Sequence, residues 1–211
     1  MSGSQKEVPE VVGISDANLR FGAGTALVVV DVQNDFADPA GSLFVPGGDR
    51  VAAAVASLMR SAAADGSLVV CTQDWHPAVT PHFQEFGGRW PAHCVAGSWG
   101  AELHPSLPPA ESVVRKGQGE RDGYSGFGAR DLGSGEVEPT GLGELLERAG
   151  VTRVVIVGLA LDVCVRATAI DALALGLQTV VVSAATAAVD LQPGEGARTL
   201  AELRKAGAEV L

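Results

Sequence analysis

Ala26-Leu-Val-Val-Val-Asp31 is a continuous apolar run closed by an acid. Apolar side chains at every position, instead of every second one, mark a strand buried on both faces, as in a parallel sheet covered by helices. The pattern returns at Ser67-Leu-Val-Val-Cys-Thr72, Arg153-Val-Val-Ile-Val-Gly158 and Thr179-Val-Val-Val-Ser183, and in shorter form at Ser112-Val-Val-Arg-Lys116. Between these strands the chain reads as helices over Arg50–Ala64, Gly141–Ala149 and Asp162–Leu175, with Gly66, Gly150 and Gly176 as stop signals. A last helix is expected over about Pro193–Lys205 and an edge strand at Ala208–Leu211. Strands alternating with helices predict an α/β fold, a three-layer open parallel sheet flanked by helices. Residues 1–22 read as a tail with a short helix near Ser15–Arg20, and 23–211 as one domain. Phe36–Asp49 reads as a loop rich in Gly and Pro. There is no internal repeat and no low-complexity tract.

Composition narrows the function. Of 211 residues, 46% are hydrophobic and only 5% aromatic, so Val, Leu and Ala must fill the core. The formal net charge of −10 makes a nucleic-acid partner a poor expectation. No apolar run approaches the ~20 residues of a membrane span, and Met1–Glu10 lacks the basic start and apolar stretch of a signal peptide. The expected compartment is the cytoplasm, with no membrane partner, and homo-oligomerisation is left open. Three cysteines, Cys71, Cys94 and Cys164, with no CxxC pair, argue against a disulfide framework.

Ligands of open α/β sheets sit beyond the carboxyl ends of the strands. Asp31, Asp74 and Lys116 fall at or just after such ends, and Cys164 lies where another strand turns into a helix. A thiol there feels the positive end of the helix dipole, which favours thiolate, and free N–H groups of the first turn can hold an oxyanion. Singly, Cys164 reads as a small buried apolar residue, Asp31 as a helix cap and Lys116 as a surface charge. Together on one sheet edge they read better as a nucleophile with a base and a charge partner.

All four histidines, His76, His82, His93 and His104, and all three tryptophans lie in the irregular stretch 73–112. Loops of that length in a compact domain tend to be functional or disordered, and the aromatic content argues against disorder. Asp74 and His76, two apart, face the same side of an extended chain. With His82 and His93 they offer one carboxylate and three imidazoles, a set suited to one divalent ion such as Zn, Fe or Mn. The bland alternative is separate loop histidines, each satisfied locally. Phe36, Trp90 and Tyr124 stand near these residues in sequence and could wall a flat aromatic ligand, although core packing is the commoner fate of an aromatic. Trp75 and Trp99 are read as core.

Four segments resemble the isochorismatase-like cysteine hydrolases, and within them the nicotinamidases: Val30-Asp-Val-Gln-Asn-Asp-Phe36, Thr72-Gln-Asp-Trp-His-Pro77, Trp90-Pro-Ala-His-Cys-Val-Ala-Gly97 and Gly158-Leu-Ala-Leu-Asp-Val-Cys164, the last continuing to Asp171. The similarity runs from about residue 25 to 190. It implies a catalytic triad of Asp31, Lys116 and Cys164, acting through a cysteine thioester to convert nicotinamide, a small aromatic amide, to nicotinate and ammonia. It implies a cis peptide between Leu159 and Ala160 that aims the Ala160 and Cys164 N–H groups at the oxyanion. It also implies a metal held by Asp74, His76, His82 and His93 that binds the pyridine nitrogen, and a pocket lined by Phe36, Trp90 and Tyr124. Val163 departs from the histidine or tyrosine that some nicotinamidases carry before the nucleophile. His104, in a Leu-His-Pro segment, is expected to be structural. Competing readings are a related cysteine amidase acting on a carbamoyl or maleamate-type amide, and a non-catalytic metal- or ligand-binding protein on the same scaffold.

Overall fold

The computed structural model describes residues 19–119, 121–131 and 133–211. The tail helix expected near Ser15–Arg20 falls almost wholly outside them. The apolar runs form the strands β1 (Thr25–Val30), β2 (Leu68–Asp74), β3 (Ser112–Lys116), β7 (Arg153–Leu159) and β8 (Gln178–Ala187), with β9 (Glu209–Val210) at the edge. All pair in parallel, in the order β3-β2-β1-β7-β8-β9. In the central register, Val28 of β1 lies between Val70 of β2 and Ile156 of β7.

Alternate residues of β1 serve opposite layers. Leu27 and Val29 pack against α2 (Gly48–Ala64), which presents Val51, Val55, Leu58, Met59 and Ala62 at helical spacing. Val28 and Val30 face the other layer, with Leu142 and Leu146 of α3 (Leu142–Arg148), Ala169 of α4 (Arg166–Ala174) and Leu203 of α5 (Glu195–Ala206). Each fully buried Val, Leu or Met contributes about 1.5–3 kcal/mol. The three-layer reading therefore rests on side chains that water never reaches.

Strand order reverses between β1 and β7, the switch point at which such sheets open a crevice for ligands. There the two strands come unusually close. Gly158 has φ +114°, and a Cβ on it would stand 2.1 Å from the Val30 carbonyl oxygen, so only glycine fits. The β7–β8 pairing also shifts register between Ile156 and Gly158.

Several elements differ from expectation. The loop read from Phe36 begins inside a single helical turn, α1 (Asn34–Ala37). The helix expected from Asp162 opens as a π-type turn, Leu161–Val165, before α4. Strand β8 runs four residues past Ser183, to Ala187. A small antiparallel sheet of β4 (Arg121–Asp122), β5 (Gly128–Asp131) and β6 (Val137–Pro139) was not foreseen. Its strands are short and charged, and β5 and β6 carry Gly or Pro, so they show no apolar alternation to read. Trp99 is a correction: it is 49% exposed, not core. Trp75 is partly buried against the core and carries the Arg115 guanidinium 3.8 Å from its ring centroid.

Candidate active site

Three strand ends and one turn bring the sequence candidates together. Asp31 follows β1 with φ +49°, a left-handed conformation uncommon for a non-glycine residue, and is fully buried. Thr72 of the neighbouring strand holds it twice: its hydroxyl accepts from the Asp31 N–H at 3.1 Å and donates to Asp31 Oδ1 at 2.6 Å. Lys116, the last residue of β3, reaches across with Nζ 2.8 Å from Asp31 Oδ2 and 3.5 Å from Cys164 Sγ. The same ammonium makes a short contact with Asp74 Oδ1 and donates to the Gly123 carbonyl at 3.3 Å. One oxygen each of Asp31 and Asp74 and the sulfur of Cys164 all lie within 4.8 Å of one another.

A buried ammonium would be costly alone. Here burial pushes the Lys116 pKa down, but the Asp31 and Asp74 carboxylates prevail and hold it charged, well above the ordinary lysine value. Burial raises the Asp31 carboxyl above its ordinary range despite Lys116, leaving a more basic carboxylate. For Asp74 burial acts the same way, but Lys116 together with His76 and His93 overcomes it and holds the group well below the usual carboxylate range. The helix dipole does not yield a resting thiolate at Cys164. Burial, only partly opposed by Lys116, raises that thiol well above its ordinary value. Cys71 and Cys94 are also raised by burial, Cys71 to about 12, and sit in the core layer under α2. Among the described cysteines, Cys164 is the one with a lysine within hydrogen-bonding distance.

The peptide between Leu159 and Ala160 is cis, as the resemblance implied. The Ala160 carbonyl accepts from the N–H groups of Val163 and Val165, which closes the turn that carries Cys164. Thr168 donates to the Cys164 carbonyl at 2.7 Å and ties the turn to α4.

The histidine stretch is knitted by backbone pairs. His76 N–H donates to the Cys94 carbonyl and its own carbonyl accepts from Ala96, while Gln84 and Trp90 pair across the loop that carries His82. One nitrogen from each of His76, His82 and His93 falls within 4.8 Å of the others. Asp74 joins from the strand side, with Oδ2 3.8 Å from His76 Nε2 and 3.9 Å from His93 Nε2. Both nitrogens of His76 are buried without a hydrogen-bond partner. Such an orphan is expensive unless something else binds it. Gly117 presses against the same ring: a Cβ there would stand 2.5 Å from His76 Cε1, and its φ of +73° suits glycine. An orphaned imidazole beside two others and a carboxylate fits a divalent cation. His104 stands apart and pairs with Ser106 at 2.8 Å.

Between thiol and imidazoles lies a narrow pocket with about 350 Å³ of empty space. Phe36, Trp90 and Tyr124 all line it, with Ala160, Val163 and Cys164 at one end and Asp74, His82 and His93 at the other. Trp90 Nε1 donates to the Tyr124 hydroxyl at 3.1 Å, and the Phe36 ring stands 5.3 Å from that of His93. A larger hollow opens at the amino ends of the strands, but among the described residues no cysteine, histidine or aspartate lines it.

Sequence reasoning passed over three residues here. Gln33, inside the Val30–Phe36 segment, bonds the Asp74 carbonyl and N–H at 2.8 Å each and the Ala101 carbonyl at 2.9 Å, fixing the end of β2. Thr72, which holds Asp31, carries no signal of that role in a strand of apolar residues. Asp122, 2.9 Å from His82 Nδ1, lies in a segment between the motifs, where nothing pointed to it.

The Isochorismatase domain family matches residues 25–211. The chain belongs to this family. Its relatives include the nicotinamidase/pyrazinamidase of Mycobacterium tuberculosis, 41% identical over 88% of this chain and 97% of that one. Among solved isochorismatase-fold structures, the pyrazinamidase of Pyrococcus horikoshii in complex with zinc is 37% identical, with TM-score 0.79 over 89% of this chain and 98% of that one. The L. infantum protein PnC1 in complex with nicotinate is 36% identical, with TM-score 0.80 over 91% of this chain and 95% of that one.

Proposed function

We propose that this chain hydrolyses nicotinamide to nicotinate and ammonia, with Cys164 as nucleophile. The observation that carries the reading is one pocket with a thiol, an aspartate and a lysine at one end and three imidazoles at the other. The nicotinamidase and pyrazinamidase relatives support it.

The thiol rests protonated, so attack needs a base beside it. Asp31, made more basic by burial, takes the Sγ proton as sulfur bonds to the amide carbon. Lys116 stays charged beside both groups and offsets the negative charge as it moves from carboxylate to sulfur. The Ala160 and Cys164 N–H groups receive the developing oxyanion. The C–N bond then breaks, Asp31 returns its proton to nitrogen, and ammonia leaves a thioester on Cys164. Water adds to the thioester with Asp31 again as base, the C–S bond breaks, and the proton goes back to sulfur as nicotinate departs.

Asp74, His76, His82 and His93 would hold one divalent ion of the Zn, Fe or Mn kind. Bound there, it would supply a Lewis-acid contact for the pyridine nitrogen, and so placement of the ring more than bond cleavage. Phe36, Trp90 and Tyr124 flank the ring and keep water from it.

Incubation of the metal-loaded protein with nicotinamide is expected to release nicotinate and ammonia in equal amounts. A metal-loaded protein that turns over no nicotinamide would refute the assignment.

A further inference from the structure

The three imidazoles are held in three different ways. His93 Nδ1 lies 2.7 Å from the Pro91 carbonyl, so it carries a hydrogen and leaves Nε2 as the lone-pair nitrogen. His76 has no partner on either nitrogen. His82 Nδ1 lies 2.9 Å from Asp122 Oδ1. That carboxylate oxygen is buried and carries no hydrogen bond among the described residues, which leaves its lone pairs free to accept from the His82 ring beside it.

Asp122 comes from β4, in the sheet that the sequence did not announce. It pairs with Arg130 of β5, and its neighbour Arg121 is tied to Glu138 of β6 by a 2.7 Å ion pair. That ion pair is exposed and worth little by itself. The placement it helps set is specific, because the strand delivers one carboxylate to the back of one imidazole.

We propose that Asp122 is a positioning residue for His82: it accepts the Nδ1–H, fixes the ring and its tautomer, and leaves Nε2 as the donor to a divalent cation. This rests on the metal reading given above. An imidazole that binds a metal commonly gives its second N–H to a carboxylate or carbonyl, which orients the ring and strengthens it as a donor. Asp122 does this for His82 as the Pro91 carbonyl does for His93, and it stands outside the ligand set itself.

The test is Zn²⁺ affinity by chelator competition, using the full chain. It compares the unchanged protein, Asp122→Ala, Asp122→Asn, His82→Ala and the double variant His82→Ala with Asp122→Ala. Loss of Asp122 is expected to weaken Zn²⁺ binding about 10–100-fold, and Asp122→Asn, which keeps an acceptor oxygen, by less. In the His82→Ala background the Asp122 change should add nothing further, since its effect passes through that ring. Should Asp122→Ala not fold, Asp122→Asn carries the same cycle, with a smaller loss that disappears without His82. Zn²⁺ binding unchanged in the Asp122 variants would overturn the proposal. So would an equal loss in the His82→Ala background, which would make Asp122 a ligand or a prop in its own right. An unchanged protein that takes up no Zn²⁺ would instead sink the metal reading, and this inference with it.

Discussion

The two ends of the pocket are built by different means. At the thiol end, Asp31, Asp74 and Lys116 sit at the ends of adjacent parallel strands, so sheet register alone brings them side by side. At the imidazole end, the rings ride on a long loop whose shape depends on backbone bridges, side-chain bonds from Gln33 and the close approach of Asp122 to His82. Lys116 and Asp74 join the two, because the ammonium that faces Cys164 also binds the carboxylate that faces His76 and His93. The thiol end should therefore fail chemically with little change in shape, and the imidazole end should fail by losing its ligand.

The largest effect is expected from Asp31→Asn. It removes the proposed base but keeps the shape, and should cut kcat by about 10²–10⁴-fold with KM nearly unchanged. A mainly raised KM would mean that Asp31 binds substrate instead. Lys116→Met strands two buried carboxylates, and urea unfolding should show a loss of about 3–5 kcal/mol. A variant as stable as the parent would mean that one carboxylate is neutral when the protein rests. His76→Ala should leave the fold intact, lose bound metal by elemental analysis and raise KM more than it lowers kcat. Equal loss of kcat with unchanged KM would blur the contrast between the two ends. The smallest effect is a displaced pH profile. As the proposed base Asp31 must be ionised, and its pKa is raised by burial, so kcat/KM should fall as pH drops through a value above the ordinary carboxylate range. An acid limb at or below that range would contradict the assignment.

The same contrast explains what the sequence made legible. Apolar runs at Ala26–Val30 and Val154–Val157 can only be covered strands, so β1 and β7, and with them the places of Asp31 and Cys164, followed from composition. The histidines were visible as a cluster because all four of the chain fall between residues 76 and 104. Asp122 was not, since a two-residue strand of charged residues carries no periodic signal. Nor was the double duty of Lys116, because one side chain reaching two carboxylates and a sulfur depends on register that only coordinates give. The protonated resting thiol also escaped: the helix terminus is readable from sequence, but the depth of burial that outweighs it is not.

The most direct test is the rate of ammonia release from nicotinamide by Cys164→Ala, measured beside its metal content. The account predicts that release falls to background while bound metal stays at the parent level. Release at the parent rate without that sulfur would contradict it.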